Sequence, residues 1–138
     1  MEIRKAIISD IENIILLNKL DDYENPDLYI HEAILKWLVQ LAVLNKIIVW
    51  FTLIELVWWN TPLLALIKIH PNFQRKWIGK RLILSSENIL KEKWFNVYCS
   101  STIRENNSAR KFHDALRFKE VWILNLPHWQ EIFYIKDI

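Results

Sequence analysis

The sequence predicts an α+β domain in which helices flank one mixed, mostly antiparallel sheet. Short segments rich in apolar, β-branched and aromatic residues alternate with segments of helical spacing, and turn-forming residues stand between them. The chain of 138 residues has room for one buried core. We therefore expect a single domain over residues 1–138.

An opening strand over residues 2–8 is predicted to lead into two helices. Ser9-Asp10-Ile11-Glu12 has the form of a capping box in which Glu12 reaches back to the cap amide. Apolar residues at helical spacing predict that the first helix continues to about residue 20. A polar loop over 21–27 and a second helix over 28–36 are expected next.

An antiparallel meander of three strands is predicted for the middle of the chain, over residues 38–44, 47–57 and 62–70. Asn45-Lys46 supplies the first turn and Trp58-Trp59-Asn60 the second. These two turns are short enough to join neighbouring antiparallel strands directly.

The rest of the chain is predicted to form a long helix, a strand, a short helix and a closing hairpin. Their expected bounds are 76–93, 95–101, 107–116, 118–124 and 131–135. The complete element order is then β-α-α-β-β-β-α-β-α-β-β.

Composition narrows the class of protein. Hydrophobic residues make up 52% of the chain and charged residues 25%, which is typical of a globular domain. A net charge of +2 is too small to indicate a nucleic-acid partner. Cys99 is the only cysteine and suits a reducing compartment as a buried thiol. We expect a cytoplasmic protein without a signal peptide, a membrane segment or a metal site.

Eight tryptophans and a single glycine, Gly79, are the most unusual feature of the composition. Tryptophan stands where turn and cap geometry favours glycine, at Trp37, Trp58, Trp59, Trp94 and Trp129. Two explanations stay open. Either the chain uses its aromatic residues for packing or ligand contacts, or the gene encodes glycine by UGA, which another translation table reads as tryptophan.

The segment from Leu66 to Lys80 carries the main chemical motif, LIKIHPNFQRKWIGK. Its strand, loop and helix start would place unpaired backbone N–H groups and the positive end of a helix dipole around an anion. The segment resembles the (Gln/Arg)-x-x-Gly-x-(Gly/Ala) motif of the GCN5-related N-acetyltransferase (GNAT) family. Gln74 and Gly79 match this motif, whereas Trp77 stands at its first glycine.

A second segment, from Arg104 to Phe118, resembles the family's Asn-x-x-Ala-x-x-(Phe/Leu)-Tyr-x-x-Leu-Gly-Phe motif. Asn106 matches the asparagine, and His113 stands where relatives often carry the tyrosine that protonates the departing thiolate. Histidine can donate a proton near neutral pH, although a surface histidine on a short helix is the plain alternative. Arg117 departs from the family's glycine.

The strand glycines of the family are also replaced. Trp50 stands at the glycine of a Val-x-Gly-Phe strand motif, and Trp122 falls at another common glycine. Neither match depends on the motif residues already described.

The resemblance covers essentially the whole chain and implies acetyl transfer from acetyl-CoA to a primary amine. Ser101 aligns with a position where some relatives carry an acidic base, and a serine cannot serve in that way. Glu55 could relay a proton through water, although an outward-facing strand glutamate is the commoner outcome. The general base is therefore left open. A homodimer is possible. The implied cofactor contacts are Ile67, Lys68, Ile69, Gln74, Arg75, Lys76, Trp77, Ile78, Gly79, Lys80 and Asn106, with His113 as the implied catalytic residue.

Two other functions stay open. A domain of this ancestry that has lost catalysis could bind acyl-CoA or act as an interaction module, as Trp77 and Arg117 would favour. An aromatic-rich module could instead stack bases or sugars on exposed tryptophans. The acceptor is not given by the sequence; acidic residues in the loop over 21–27 would suit a cationic amine.

Overall fold

The computed structural model describes residues 1–19, 30–74 and 77–138. These residues form four helices and seven strands in the order predicted from the sequence. The helices are α1 (Ile11–Asn18), α2 (Ile30–Leu35), α3 (Ile78–Glu92) and α4 (Asn107–Ala115). The strands are β1 (Glu2–Lys5), β2 (Val39–Leu44), β3 (Ile47–Val57), β4 (Thr61–Ile69), β5 (Val97–Ile103), β6 (Lys119–Asn125) and β7 (Gln130–Asp137).

The strands form one sheet in the order β1-β2-β3-β4-β5-β7-β6. Neighbouring strands are antiparallel except for β4 and β5, which run parallel and are joined through α3. A parallel pair needs such a crossover because the chain must return from the end of the first strand to the side of the sheet where that strand began. The predicted mixed, mostly antiparallel sheet and the β2-β3-β4 meander are confirmed.

The sheet opens between β4 and β5. Their register covers only the pairs Leu63–Cys99 and Leu64–Ser100, although β4 continues to Ile69. A register shift opposite Leu53 and Ile54 also bends β4 just beyond these pairs. The two strands therefore part in the direction of their C-terminal ends, and an opening is left in the middle of the sheet.

Helices cover both faces of the sheet. On one face, Thr52 lies 3.1 Å from Ser86 of α3, and Ser100 lies 2.7 Å from His113 of α4. On the other face, Ile14 of α1 and Ile34 of α2 belong to the same buried cluster as Phe51. Burying an apolar side chain of this size contributes about 2 kcal/mol. On the first face, α3 also buries apolar side chains, among them Leu82 and Leu90.

The start of the first helix differs from the prediction. β1 ends at Lys5, and a 3-10 turn over Ile8–Asp10 precedes α1. The N–H of Ile7 donates to the Asp10 carboxylate at 2.8 Å, and Arg4 binds the same carboxylate in bidentate form at 2.7 and 2.8 Å. The predicted Ser9–Glu12 capping box is wrong, because Asp10 serves as the acceptor and the turn begins two residues earlier.

Other bounds shift by at most two residues, and those of β3 are as predicted. α3 begins at Ile78 because Trp77 has a left-handed backbone with φ of 56°. β5 begins at Val97 because Trp94 and Phe95 close the end of α3, with the N–H of Phe95 donating to the carbonyl of Leu90 at 3.0 Å. The predicted loop over 21–27 and the start of the second helix lie outside the described residues. Among the described helices, none has the length and hydropathy needed to cross a membrane.

Candidate active site

A cavity of about 340 Å³ fills the opening between β4 and β5. Ile67 and Ile69 line it from β4, Ser100 and Ser101 from β5, and His113 from α4. The cavity is thus bounded by the parting strands and by the helix that crosses behind them. Side chains of the two strands and α4 meet there only because the pairing of β4 with β5 stops at Leu64 and Ser100.

His113 is fixed on the wall of this cavity. Its ring is 4% exposed and stacks on Tyr134 with centroids 4.2 Å apart and planes 9° apart. Nδ1 lies 2.7 Å from the carbonyl oxygen of Ala109, and Nε2 lies 2.7 Å from the hydroxyl of Ser100. A carbonyl can only accept, so Nδ1 carries the proton and, in the neutral ring, Nε2 accepts from Ser100.

Burial keeps this imidazole neutral. Desolvation lowers the pKa of His113 below its ordinary value of 6.5, and this outweighs the hydrogen bond to Ala109 and the nearby charge of Asp114, which raise it. Neutral His113 presents the free lone pair of Nε2 to the Ser100 hydroxyl, and the lowered pKa makes its protonated form a readier proton donor. It is a buried group that reaches the cavity together with Ser100.

The backbone of β4 offers N–H groups to the cavity. The N–H of His70 donates to the carbonyl of Val49 at 2.8 Å, so alternate residues of β4 point their N–H groups at β3. By this alternation Ile67 and Ile69 direct theirs at β5, where the strands have parted. Lys68 points its N–H at β3, and its side chain shares the face of its register partner Phe51.

A second cavity of about 690 Å³ lies at the start of α3. Gln74, Trp77, Gly79 and Lys80 line it, with Lys111 of α4 on the opposite side. It adjoins the first cavity, since Ile69, Ser108 and Phe112 line both. The first amides of a 15-residue helix and two lysines make this end of the combined cavity favourable for an anion.

Two tryptophans crowd the helix start. A Cβ added to Gly79 would lie 2.2 Å from the indole ring of Trp50, so that ring rests directly on the Gly79 backbone. Trp50 is 3% exposed, and its Nε1 has no hydrogen-bond partner. Trp77 occupies the N-cap of α3 with no side-chain cap bond. The β4–β5 cavity fits an extended thioester arm, and the anion-binding end is lined by Trp50 and Trp77, whose rings take up space that glycine would leave free.

The remaining predicted contacts fall in different places. Asn106 lines the β4–β5 cavity, and its side-chain oxygen caps α4 by accepting from the N–H of Ala109 at 3.0 Å. Ile78, the first residue of α3, is buried and packs in a cluster with Trp50. Arg75 and Lys76 lie outside the described residues. Seven of the eleven predicted contacts thus line one or both cavities: Ile67, Ile69, Gln74, Trp77, Gly79, Lys80 and Asn106. The side chains of Lys68 and Ile78 are buried and line neither of these two cavities.

Ser100 and Lys111 were missed by the sequence interpretation. Alternation along β5 places Tyr98, Ser100 and Thr102 on one buried face, and this period could have pointed to Ser100. Ser101 lines the same cavity, while Glu55 is half-buried next to its register partner Leu63, outside both cavities. Burial raises the pKa of the Cys99 thiol. Within the described ranges, no His, Cys, Asp and Glu side chains gather into a group that could hold a metal ion.

No family model and no curated protein sequence matches the chain. Solved structures do match it. An acetyltransferase of the GNAT family from Bacillus cereus ATCC 10987 is 22% identical with a TM-score of 0.84, and the match covers 99% of this chain and 96% of that chain. The ribosomal-protein-S18-alanine N-acetyltransferase from Escherichia coli is 15% identical with a TM-score of 0.85, covering 99% and 93%.

The PaiA N-acetyltransferase from Thermoplasma acidophilum, solved in complex with coenzyme A, is 20% identical with a TM-score of 0.80, covering 99% and 98%. At such identities the likeness is one of architecture. The element order, the parted β4–β5 pair and these matches agree, and the chain has the fold of the GNAT acetyltransferases.

Proposed function

We propose that this protein is an N-acetyltransferase that transfers the acetyl group of acetyl-CoA to a primary amine. The observation that supports this most directly is the opening between β4 and β5, which holds a polar wall at Ser100 and His113 and leads to the start of α3. An extended thioester can lie along such an opening with its phosphates at the helix end. The match to a structure containing coenzyme A gives further support.

The residues divide between binding and chemistry. The amides at the start of α3, with Gln74, Gly79 and Lys80, and Arg75 and Lys76 by resemblance, would hold the pyrophosphate. Asn106 lines the path of the arm. The N–H of Ile67 or Ile69 would polarise the acetyl carbonyl from the open edge of β4, where a fixed donor stabilises developing negative charge on oxygen.

Acetyl transfer from a thioester to an amine forms a C–N bond and breaks a C–S bond, so the amine loses one proton and the sulfur gains one. Ser100 can take the proton from the amine while it passes its own to Nε2 of His113. His113 then returns that proton through Ser100 to the sulfur, and the lowered pKa of the ring favours this return. His113 would act through Ser100, and a separate carboxylate base is not needed.

The test is turnover. The full chain is incubated with acetyl-CoA and a panel of small amines, lysine peptides and peptides with free N-termini. We expect thiol release that depends on the amine, and an acetylated product by mass spectrometry. Acetyl-CoA without amine is the control for hydrolysis. Absence of product with every amine, from a chain shown to bind acetyl-CoA, would contradict the proposal.

A binding module without catalysis is the second candidate. Trp50, whose ring rests on Gly79, and Trp77, which lines the same cavity, favour it for the chain as printed, because glycine at either position would leave more room at the anion-binding end. Binding of acetyl-CoA without turnover would support this candidate. Failure to bind would leave the aromatic-rich module, which the exposure of tryptophans such as Trp59 and Trp94 supports.

A further inference from the structure

Five of the eight tryptophans have a left-handed backbone: Trp37 (φ 63°), Trp58 (35°), Trp59 (57°), Trp77 (56°) and Trp94 (69°). A non-glycine residue with positive φ is uncommon, and a bulky one is an outlier. The residues that normally adopt this region are glycine and, less often, asparagine or aspartate. The concentration of one rare, bulky residue type in this region is therefore not explained by chance.

The hydrogen bonds at two of these positions define what the backbone needs. After α3, the N–H of Trp94 donates to the carbonyl of Lys91 at 2.9 Å, and the N–H of the next residue donates to the carbonyl of Leu90 at 3.0 Å. After α2, the N–H of Trp37 donates to the carbonyl of Ile34 at 3.1 Å, and the N–H of the next residue donates to the carbonyl of Ala33 at 2.9 Å. Both patterns are Schellman motifs, in which the left-handed residue is usually glycine.

Three of these five side chains gain little from their positions. Trp59 is 100% exposed, Trp94 is 95% exposed and Trp77 is 80% exposed. Large apolar side chains are normally placed where they bury area. At these three positions the backbone geometry is costly for tryptophan and packing does not compensate for it, whereas Trp37 packs against the buried core.

Trp50 shows a different conflict, inside the fold. Its ring packs directly on Gly79, which has no Cβ, and its buried Nε1 has no hydrogen-bond partner. A buried Trp N–H usually finds an acceptor. The conflict would vanish if residue 50 had no side chain.

Positive φ also occurs outside the tryptophans. Asn45 and Asn60 are residues that tolerate it, whereas Lys46 and Arg117 are not. Arg117 ends α4 in a third Schellman motif, with its N–H donating to Asp114 and the next N–H to His113, both at 3.0 Å. Ordinary substitution of a glycine therefore explains Lys46 and Arg117. The five other positions where positive φ is unfavourable all carry tryptophan.

We infer that the protein in its own cell carries glycine at Trp37, Trp58, Trp59, Trp77 and Trp94, and at Trp50, because the codon UGA is read there as glycine, and that its anion-binding helix start has more room for a phosphate group in this glycine form. Trp122 and Trp129 are also glycine where their codon is UGA. The residue identity rests on backbone geometry at the first five positions and on the unpartnered indole N–H at Trp50. The statement about the helix start rests on the proposed function.

Peptide mass spectrometry of the protein isolated from its source cells tests the residue identity. We expect fragments with the mass of glycine at these six positions. Tryptophan masses at Trp58, Trp59 and Trp77 would overturn the inference, whatever the protein catalyses. UGG codons at those positions in the gene would overturn it equally.

Coenzyme A titration tests the helix start. The printed chain, its Trp50→Gly/Trp77→Gly variant and a Trp122→Gly control are compared by calorimetry. We expect at least tenfold tighter binding by the double variant and no change in the control. Equal affinity of the first two would overturn the statement about the helix start. If none of the three binds, the proposed function fails as well, and the peptide masses alone decide the residue identity.

Discussion

At the scale of single residues, a left-handed backbone at an L-residue is costly because its Cβ crowds the following carbonyl, by roughly 1–2 kcal/mol. Trp94 isolates this cost, since its side chain is almost fully exposed and contributes little packing. We predict that Trp94→Gly stabilises the printed chain by about 1 kcal/mol, after allowing for the greater freedom of glycine in the unfolded state. Urea unfolding measures the change.

The control for this prediction is Trp94→Ala. Alanine removes the indole but keeps the Cβ, so the backbone cost stays and stability should change by less than about 0.5 kcal/mol. If alanine stabilised as much as glycine, the exposed ring and not the left-handed backbone would be the source of the effect.

The second residue-scale prediction concerns the proton path. Ser100 connects the buried His113 to the cavity at 2.7 Å, so Ser100→Ala should lower kcat by about 100-fold, within the range of general acid–base catalysis, while KM for acetyl-CoA changes little. Ser101→Ala is the matched control. Ser101 lines the same cavity, but the hydrogen bond with His113 is made by Ser100. Equal losses in both variants would contradict the relay.

The residue scale also shows what a sequence can predict. The segment around His113 indicated that this residue matters, but its burial, its stacking on Tyr134 and its link to Ser100 depend on how α4 lies over β5. These contacts join residues far apart in the chain, so local pattern could not provide them. The glycine-like character of the tryptophan positions was predictable because turn and cap geometry is local.

At the scale of elements, α4 carries His113 and depends on its cap. The side chain of Asn106 accepts from the N–H of Ala109 at 3.0 Å and satisfies one of the unpaired first-turn amides. Asn106→Ala should destabilise the protein by about 1 kcal/mol. Asn107→Ala, at the first residue of α4, is the matched control and should lower stability by less than half as much. Chemical denaturation of both variants measures the difference. Equal losses would assign the effect to helix propensity and not to the cap.

A buried carboxylate ties three elements together. Glu87 of α3 accepts from the Tyr98 hydroxyl of β5 at 2.7 Å and forms an ion pair with Lys136 of β7. Lys136→Met would leave that carboxylate without its cation and should cost about 2 kcal/mol, less than for a fully buried pair because Lys136 is partly solvated.

Glu87→Gln in the Lys136→Met background tests this account. The second substitution removes the uncompensated charge and should recover at least half of the loss in a urea double-mutant cycle. Additive costs would show that Glu87 and Lys136 are not energetically coupled.

Element boundaries show the limit of pattern reading. The type and order of the elements were predictable because apolar periodicity is strong along β3 and α3. The bounds of the elements were less predictable. The end of β1 is set by the Arg4–Asp10 ion pair, and the start of β5 by the hydrogen bonds that end α3. Both depend on hydrogen bonds that periodicity does not encode.

At the scale of the whole molecule, two groups distant from each other make folding depend on pH. The pKa of His113 is lowered by burial from 6.5, and the pKa of Asp10 is lowered from 3.8, first through its hydrogen bonds with Arg4. In both cases the unfolded chain binds a proton more readily than the folded one. Stability is therefore fully present above the ordinary pKa of each group and decreases as pH falls through the window beneath it.

The resulting prediction is a loss of stability in two steps, one beginning below about pH 6.5 and one below about pH 3.8. Within each window the slope from one group is at most about 1.4 kcal/mol per pH unit. His113→Gln should flatten the first step and leave the second, while Asp10→Asn should lower stability at neutral pH and flatten the second. Urea unfolding across this pH range separates the two groups, because a first step that persists unchanged in His113→Gln would have to arise elsewhere in the fold.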